Sequence, residues 1–171
     1  MVFEVPDCRK VLDGLDHCFL WEEHITYLTP VTLKALLEYA GFMDVDIQVY
    51  PYPMEDSLVA IVRNIRTTPK MPKIAHEEII RVGAFGRSIA ERGAAIKRHI
   101  RSLQTNGIQT ALFGAGHLAA KFINFYDLAP LLTGVIDDNP NKENLFMPGS
   151  RLPIINSNYL DEGKVDLCLL T

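Results

Sequence analysis

Residues 110–140 constrain the fold more than any other stretch: Thr110-Ala-Leu-Phe-Gly-Ala-Gly-His-Leu-Ala-Ala120, and then, past a helical segment, Val135-Ile-Asp-Asp-Asn-Pro140. The order is an apolar run, a glycine turn, an amphipathic segment and a second apolar run ending in carboxylates. That is the opening half of a Rossmann-type nucleotide site. Gly114, Gly116 and Ala119 fit the spacing in which one glycine permits a tight turn, the next lets backbone approach a phosphate, and a small third residue allows close helix–strand packing. The helix after the turn would direct free N–H groups at an anion. Asp137 and Asp138 follow at about the ~20-residue separation at which a carboxylate accepts a ribose hydroxyl. His117 sits at the turn, where it either helps to anchor a phosphate- or sugar-bearing group or simply begins the helix. For the two carboxylates the alternative is a solvated strand end running into the Asn139-Pro140 turn.

A chain of 171 residues accommodates one good core, or a small domain with part of another. The net charge of −4 lacks the basic footprint that binding a phosphate backbone requires, which argues against a nucleic-acid partner. No apolar run approaches the ~18 residues of a membrane span, and the amino terminus has no signal-peptide pattern, so the expectation is a cytoplasmic protein without a membrane partner. Cys8, Cys18 and Cys168 are odd in number and have no C-x-x-C spacing, against both a disulfide framework and a zinc site; they read as buried small residues.

Along the chain, Val2-Phe-Glu-Val5 reads as a strand that begins inside a larger fold. Residues 32–41 put Leu33, Leu36, Leu37 and Ala40 on one helical face and end on a glycine cap. Residues 45–50 and 57–63, separated by the turn-rich Pro51-Tyr-Pro-Met-Glu-Asp56, predict a hairpin. Two prolines and two lysines within residues 67–73 predict a linker. From 76 to 103, Ile79, Ile80, Val82, Phe85, Ile89, Ile96, Ile100 and Leu103 recur at helical spacing, with Arg81, Arg87 and Arg92 among the intervening basic residues. This predicts a long connecting helix with a solvated basic face, ending near Asn106-Gly107. Beyond the glycine turn the sequence predicts a helix over roughly 118–128 with Phe122, Phe125 and Tyr126 in the core, a strand over 132–136, a short run at 152–155 and a buried strand over 165–170. This α/β unit reads as incomplete at its carboxy end. The division is therefore 1–66, a connecting segment 67–106, and 107–171.

A second constellation, Trp21-Glu-Glu-His-Ile-Thr-Tyr-Leu-Thr-Pro30, precedes the first predicted helix. Glu23 beside His24 on a loop can supply a general base near neutral pH, the carboxylate orienting or charging the imidazole. The alternative is a loop in which both bond neighbouring backbone while Thr29 caps the helix.

Taken together, Phe3-Glu-Val-Pro6, Glu23-His24 with Tyr27 and Thr29, Ala40-Gly-Phe42, the Gly114-Ala-Gly-His117 turn, Asp137-Asp-Asn-Pro140 and Pro148-Gly-Ser-Arg-Leu-Pro-Ile154 resemble the carboxy-terminal part of sugar C-methyltransferases that use S-adenosylmethionine. The order and distances agree along nearly the whole chain. The resemblance implies an α/β fold: the last strands and helix of a class I methyltransferase domain, then a long connecting helix and a Rossmann-like domain. It implies methylation of a carbon next to the keto group of a nucleotide-linked deoxysugar, with His24 taking the proton and Glu23 beside it. Trp21 stands where the family has an aromatic, often Tyr, lining that site; an indole stacks but offers no phenol. Trp21, Tyr27, Gly114, Gly116, His117, Asp137 and Asp138 are then the substrate-binding candidates. The family's zinc-binding region and glycine-rich donor loop have no counterpart in these residues, so S-adenosylmethionine is expected in the full-length enzyme, and a chain of these residues alone is expected to be inactive and to hold no cofactor tightly. Two alternatives come from other classes: a non-catalytic nucleotide or nucleotide-sugar binding module, and an NAD-dependent oxidoreductase domain.

Overall fold

The computed structural model describes residues 1–20, 23–53, 55–63, 68–69 and 71–170. The chain divides into two compact units, residues 1–87 and 88–171. In the first, β1 (Val2–Asp7), α1 (Arg9–Asp13), α2 (Pro30–Tyr39), β2 (Met43–Tyr50) and β3 (Asp56–Arg63) follow in order. The predicted hairpin forms, and β3 lies between β1 and β2, antiparallel to both. Alternation along β3 turns Leu58, Ala60 and Val62 inward, where they pack against Leu33 and Leu37 of α2 and against Phe42.

The ends of α2 follow from local chemistry. The Thr29 hydroxyl accepts from the Thr32 N–H, the Thr32 hydroxyl accepts from the Thr29 N–H, and Pro30 sits where its missing N–H costs nothing. At the other end Gly41 takes φ +89°, so that Phe42 N–H reaches the Leu37 carbonyl and Gly41 N–H that of Glu38. Leu36 and Ala40 are exposed rather than buried. The stripe that reaches the three-stranded sheet is only as wide as the Leu33–Leu37 pair, narrower than the sequence suggests.

The predicted long helix is α3 (His76–Thr105), which runs through the division between the units. Phe85 and Ile100 are buried as expected, but Ile79, Ile80 and Val82 are each more than half exposed. At that turn the helix buries Glu78 instead, whose carboxylate accepts from the Thr29 hydroxyl at 3.0 Å and pairs with Arg81, itself bound to Asp13 at 2.6 Å. Arg81 therefore does not belong to a solvated basic face. His17, also buried, donates from Nε2 to the Phe85 carbonyl at 2.9 Å.

The second unit continues with β4 (Thr110–Phe113), α4 (His117–Phe125), β5 (Val135–Ile136), β6 (Ile154–Ile155), α5 (Asn158–Asp161) and β7 (Leu167–Leu170). Its four strands are parallel in the order β6-β5-β4-β7. The chain winds outward from β4 to β6 and then crosses back to place β7 on the other side of β4. This reversal is the strand order of a Rossmann-like sheet, with the switch point between β4 and β7. Ala111, Ile136, Ile155 and Val165 form a core cluster.

Several boundaries and burials depart from expectation. The helix α4 stops at Phe125, ahead of Asp127 at φ +49°, and of the three aromatics expected in the core Tyr126 is buried, Phe122 half-buried and Phe125 exposed. The strand β5 spans two residues, since 129–131 form a short 3-10 turn first. As the edge strand of its sheet, β7 is not buried; Leu170 is 82% exposed. Cys8 is buried, Cys18 and Cys168 only half so. Burial pushes the Cys8 thiol above its usual range.

Candidate functional site

The glycine turn stands at the carboxyl end of β4, beside the switch point, where open parallel sheets present their ligand crevice. Gly114 takes φ +89°, a conformation that costs a side-chain-bearing residue about 1–2 kcal/mol. Its N–H donates to the Ile136 carbonyl at 2.7 Å, tying the turn to β5. Gly116, in ordinary extended backbone, is the N-cap of α4 and makes no side-chain cap bond. A Cβ built on Gly116 would meet nothing within 4 Å, so space lies open above the turn. Ala119 is buried, the small third residue of the pattern. His117 is the first residue of α4 and is exposed.

The two carboxylates are already engaged within the chain. Asp137 Oδ2 accepts from the Ala115 N–H at 2.9 Å and from Lys142 Nζ at 2.7 Å, while Oδ1 accepts from the Asn139 N–H at 3.0 Å. Lys142 Nζ also donates to the Ala115 carbonyl at 2.9 Å, so carboxylate and ammonium clasp the turn from both polarities. Lys142 lies in the Asn-rich loop and escapes sequence reading, because nothing periodic marks it. Asp138 accepts from the Ser157 N–H at 2.8 Å. Beside the turn, Phe113 and Leu170 are paired in register and exposed.

The bond from Lys142 holds the Asp137 carboxyl below the usual carboxylate range, helped by the Asn139 and Ala115 N–H groups and opposed by burial. A group whose folded value is depressed stabilises above its unfolded value, near pH 4, and loses that contribution as pH falls through the folded value. The Ala115 amide should therefore keep its NMR position and exchange protection from neutrality down to about pH 4 and lose both only in more acid solution. Lys142→Met should move that transition upward. A wild-type transition at or above the ordinary carboxylate range would contradict the clasp.

In the first unit, Glu23 and His24 lie exposed on the loop before α2, with the His24 ring in an edge-on contact with Tyr27 at 6.0 Å between centroids. The loop is pinned by the Cys8 N–H, which donates to the Leu28 carbonyl at 2.8 Å. Tyr27 also lines an apolar groove of about 230 Å³ with Val31, Leu36, Tyr39 and Ile74. Trp21 lies outside the described residues. The structure thus brings His24 and Tyr27 together in one unit, and Gly114, Gly116, His117 and Asp137 in the other. Among the described residues no group of three or more His, Cys, Asp or Glu is arranged to hold a metal ion, and no helix is long and apolar enough to cross a membrane.

No curated protein matches the chain. Residues 60–171 match the family model of the C-methyltransferase C-terminal domain, a span that includes the whole parallel sheet and its glycine turn. With well over half its length covered by that match, and with the α/β fold the match calls for, the chain belongs to the C-methyltransferase C-terminal domain family.

Proposed function

We propose that the chain is the carboxy-terminal part of an S-adenosylmethionine-dependent C-methyltransferase acting next to the keto group of a nucleotide-linked deoxysugar. The observation that carries the reading is the glycine turn at the switch point of a sheet belonging to this family, open above Gly116. In this proposal residues 1–66 are the end of the methyltransferase-type domain, with β1, α2, β2 and β3 as its last strands and helix. Residues 67–106 connect it to a nucleotide-sugar-docking domain, 107–171, and the enzyme is cytoplasmic. In the second unit the turn at Gly114 and Gly116, with His117, receives the nucleotide part of a substrate, with Asp137 and Asp138 framing it; in the first unit Tyr27 and Trp21 are the proposed sugar-binding residues.

His24 is the proposed base. Its ring nitrogen takes the proton from the carbon alpha to the carbonyl, the C–H electron pair becomes an enolate, and that carbon then accepts a methyl group. The rate advantage rests on proton transfer by a positioned imidazole and on holding substrate and donor in line. S-adenosylmethionine supplies an electrophilic methyl when bound. Among the described residues none forms a glycine-rich donor loop, so the donor is assigned to the rest of the enzyme and the chain alone to an inactive state.

Calorimetry with this chain separates the alternatives. The expected result is binding of a dTDP-linked keto-sugar and none of S-adenosylmethionine or NAD. Gly116→Ala, a change the free fold tolerates, should weaken the sugar nucleotide at least about tenfold because a methyl group then stands where ligand approaches backbone. NAD binding, or a Gly116→Ala affinity equal to wild type, would reject the docking assignment.

A further inference from the structure

We propose that Lys142 decides the class of ligand admitted at the glycine turn: by holding Asp137 it withdraws the carboxylate on which a ribose diol would be received. The inference rests on the reading of the turn as a docking site and adds the residue that selects what docks there. The ligand it leaves room for bears a phosphate but presents no pair of neighbouring hydroxyls to Asp137, which excludes dinucleotides such as NAD.

In a dinucleotide site of this topology the carboxylate at the end of the second strand accepts the adenosine ribose hydroxyls, while the glycine turn holds the pyrophosphate. Asp137 occupies that position: it follows β5 directly, and its Oδ2 reaches the Ala115 N–H inside the turn at 2.9 Å. An ionised carboxylate has about four acceptor sites. Asp137 has committed three, to the Ala115 N–H, to Lys142 Nζ at 2.7 Å and to the Asn139 N–H at 3.0 Å. A diol needs one site on each oxygen, and Oδ2 already serves two donors. With its side chain 14% exposed, Asp137 has little surface left on which to receive more. Of its three donors only Lys142 comes from a side chain, so it is the one that a substitution can remove. The place of Lys142 is fixed. It ends a short 3-10 turn, Pro140–Lys142, in which the Lys142 N–H donates to the Asn139 carbonyl at 2.9 Å and the Asn141 N–H to the Asn139 side chain at 3.0 Å. From there the ammonium spans Asp137 and the Ala115 carbonyl, which accepts at 2.9 Å. A hydroxyl that displaced it would exchange the attraction of a full charge for that of a dipole. Asp138 is no substitute, because its carboxylate is directed to the Ser157 N–H on the loop beyond β6 rather than to the glycine turn.

The test is an NMR titration of the intact chain, read at the Ala115 amide, with ADP and with 2′-deoxy-ADP, which lacks the diol. Wild type should show no preference between them, binding both alike or neither. Lys142→Met keeps the apolar stem but frees Asp137, and should bind ADP at least about tenfold more tightly than 2′-deoxy-ADP, the worth of hydrogen bonds to a charged acceptor. Adding Asp137→Asn to Lys142→Met should abolish that preference, and Lys142→Arg, which keeps a positive donor, should not create it. Lys142→Gln, also uncharged, carries the same expectation and serves if the methionine unfolds the chain. A wild type that already prefers ADP about tenfold, or uncharged variants that bind the two nucleotides equally or bind neither, overturns the inference. Failure of the parent reading looks different. There wild type leaves the dTDP-linked keto-sugar unbound while Lys142→Met still gains its preference for ADP.

Discussion

Replacing His24 with Ala in the whole enzyme is expected to slow deuterium exchange at the carbon alpha to the keto group by about 10²- to 10⁴-fold, the range that a positioned general base supplies. Affinity for the sugar nucleotide should change little, because the proposed docking contacts lie around Gly114 and Gly116 rather than on the imidazole. Exchange is the informative readout, since it reports proton abstraction without requiring methyl transfer. His24 is exposed, so truncating it leaves no cavity and the fold should survive. Exchange at the wild-type rate would place the base on another residue. A loss of exchange with unchanged sugar-nucleotide binding would separate the proton-abstracting role from the docking role.

Glu78→Ala should lower stability by about 2–4 kcal/mol, because it breaks a buried ion pair from one side only. The carboxylate is 5% exposed and joins three elements. It accepts from the Thr29 hydroxyl that caps α2, and it pairs with Arg81, which reaches back to Asp13 of α1. Without it the arginine keeps its partly exposed bond to Asp13, and the Thr29 hydroxyl loses an acceptor. Attraction at the solvent side of the network is worth less than this, so the expected loss comes from groups stranded in the interior. Heat unfolding should show a midpoint lower by roughly 5–12 °C for Glu78→Ala, and Glu77→Ala, at the exposed neighbouring position, should stay within about 0.5 kcal/mol of wild type. Equal effects for the two substitutions would mean that the network contributes nothing.

The contrast between Glu78 and the isoleucines beside it marks how far the sequence reads. Elements set by local rules were legible: the glycine-capped α2, the hairpin around Pro51 and Pro53, the length of α3, and the strand–turn–helix of β4 and α4. Each rests on a period or on a residue with restricted backbone freedom. What escaped depends on partners distant in sequence. A helical period at residues 79–82 identifies an apolar stripe, but which side faces inward was decided by Thr29 and Asp13, far upstream, so Glu78 went in and Ile79, Ile80 and Val82 stayed out. Phe125 is a similar case at the end of α4, where the turn at Asp127 leaves the ring without cover. At the candidate site, the glycines and the residues after β5 were legible from spacing, whereas Lys142 was not. It occupies an irregular turn, where position follows from hydrogen bonds that no repeat in the sequence announces.

The clasp at Ala115 has one more consequence. Because Asp137 and Lys142 neutralise each other across the glycine turn, the field they project falls off as that of a pair rather than of a single ion. Distant ions of either sign gain little from that pair. What the pair contributes to selection is accordingly close fit and directional bonding, felt only once a molecule has already arrived.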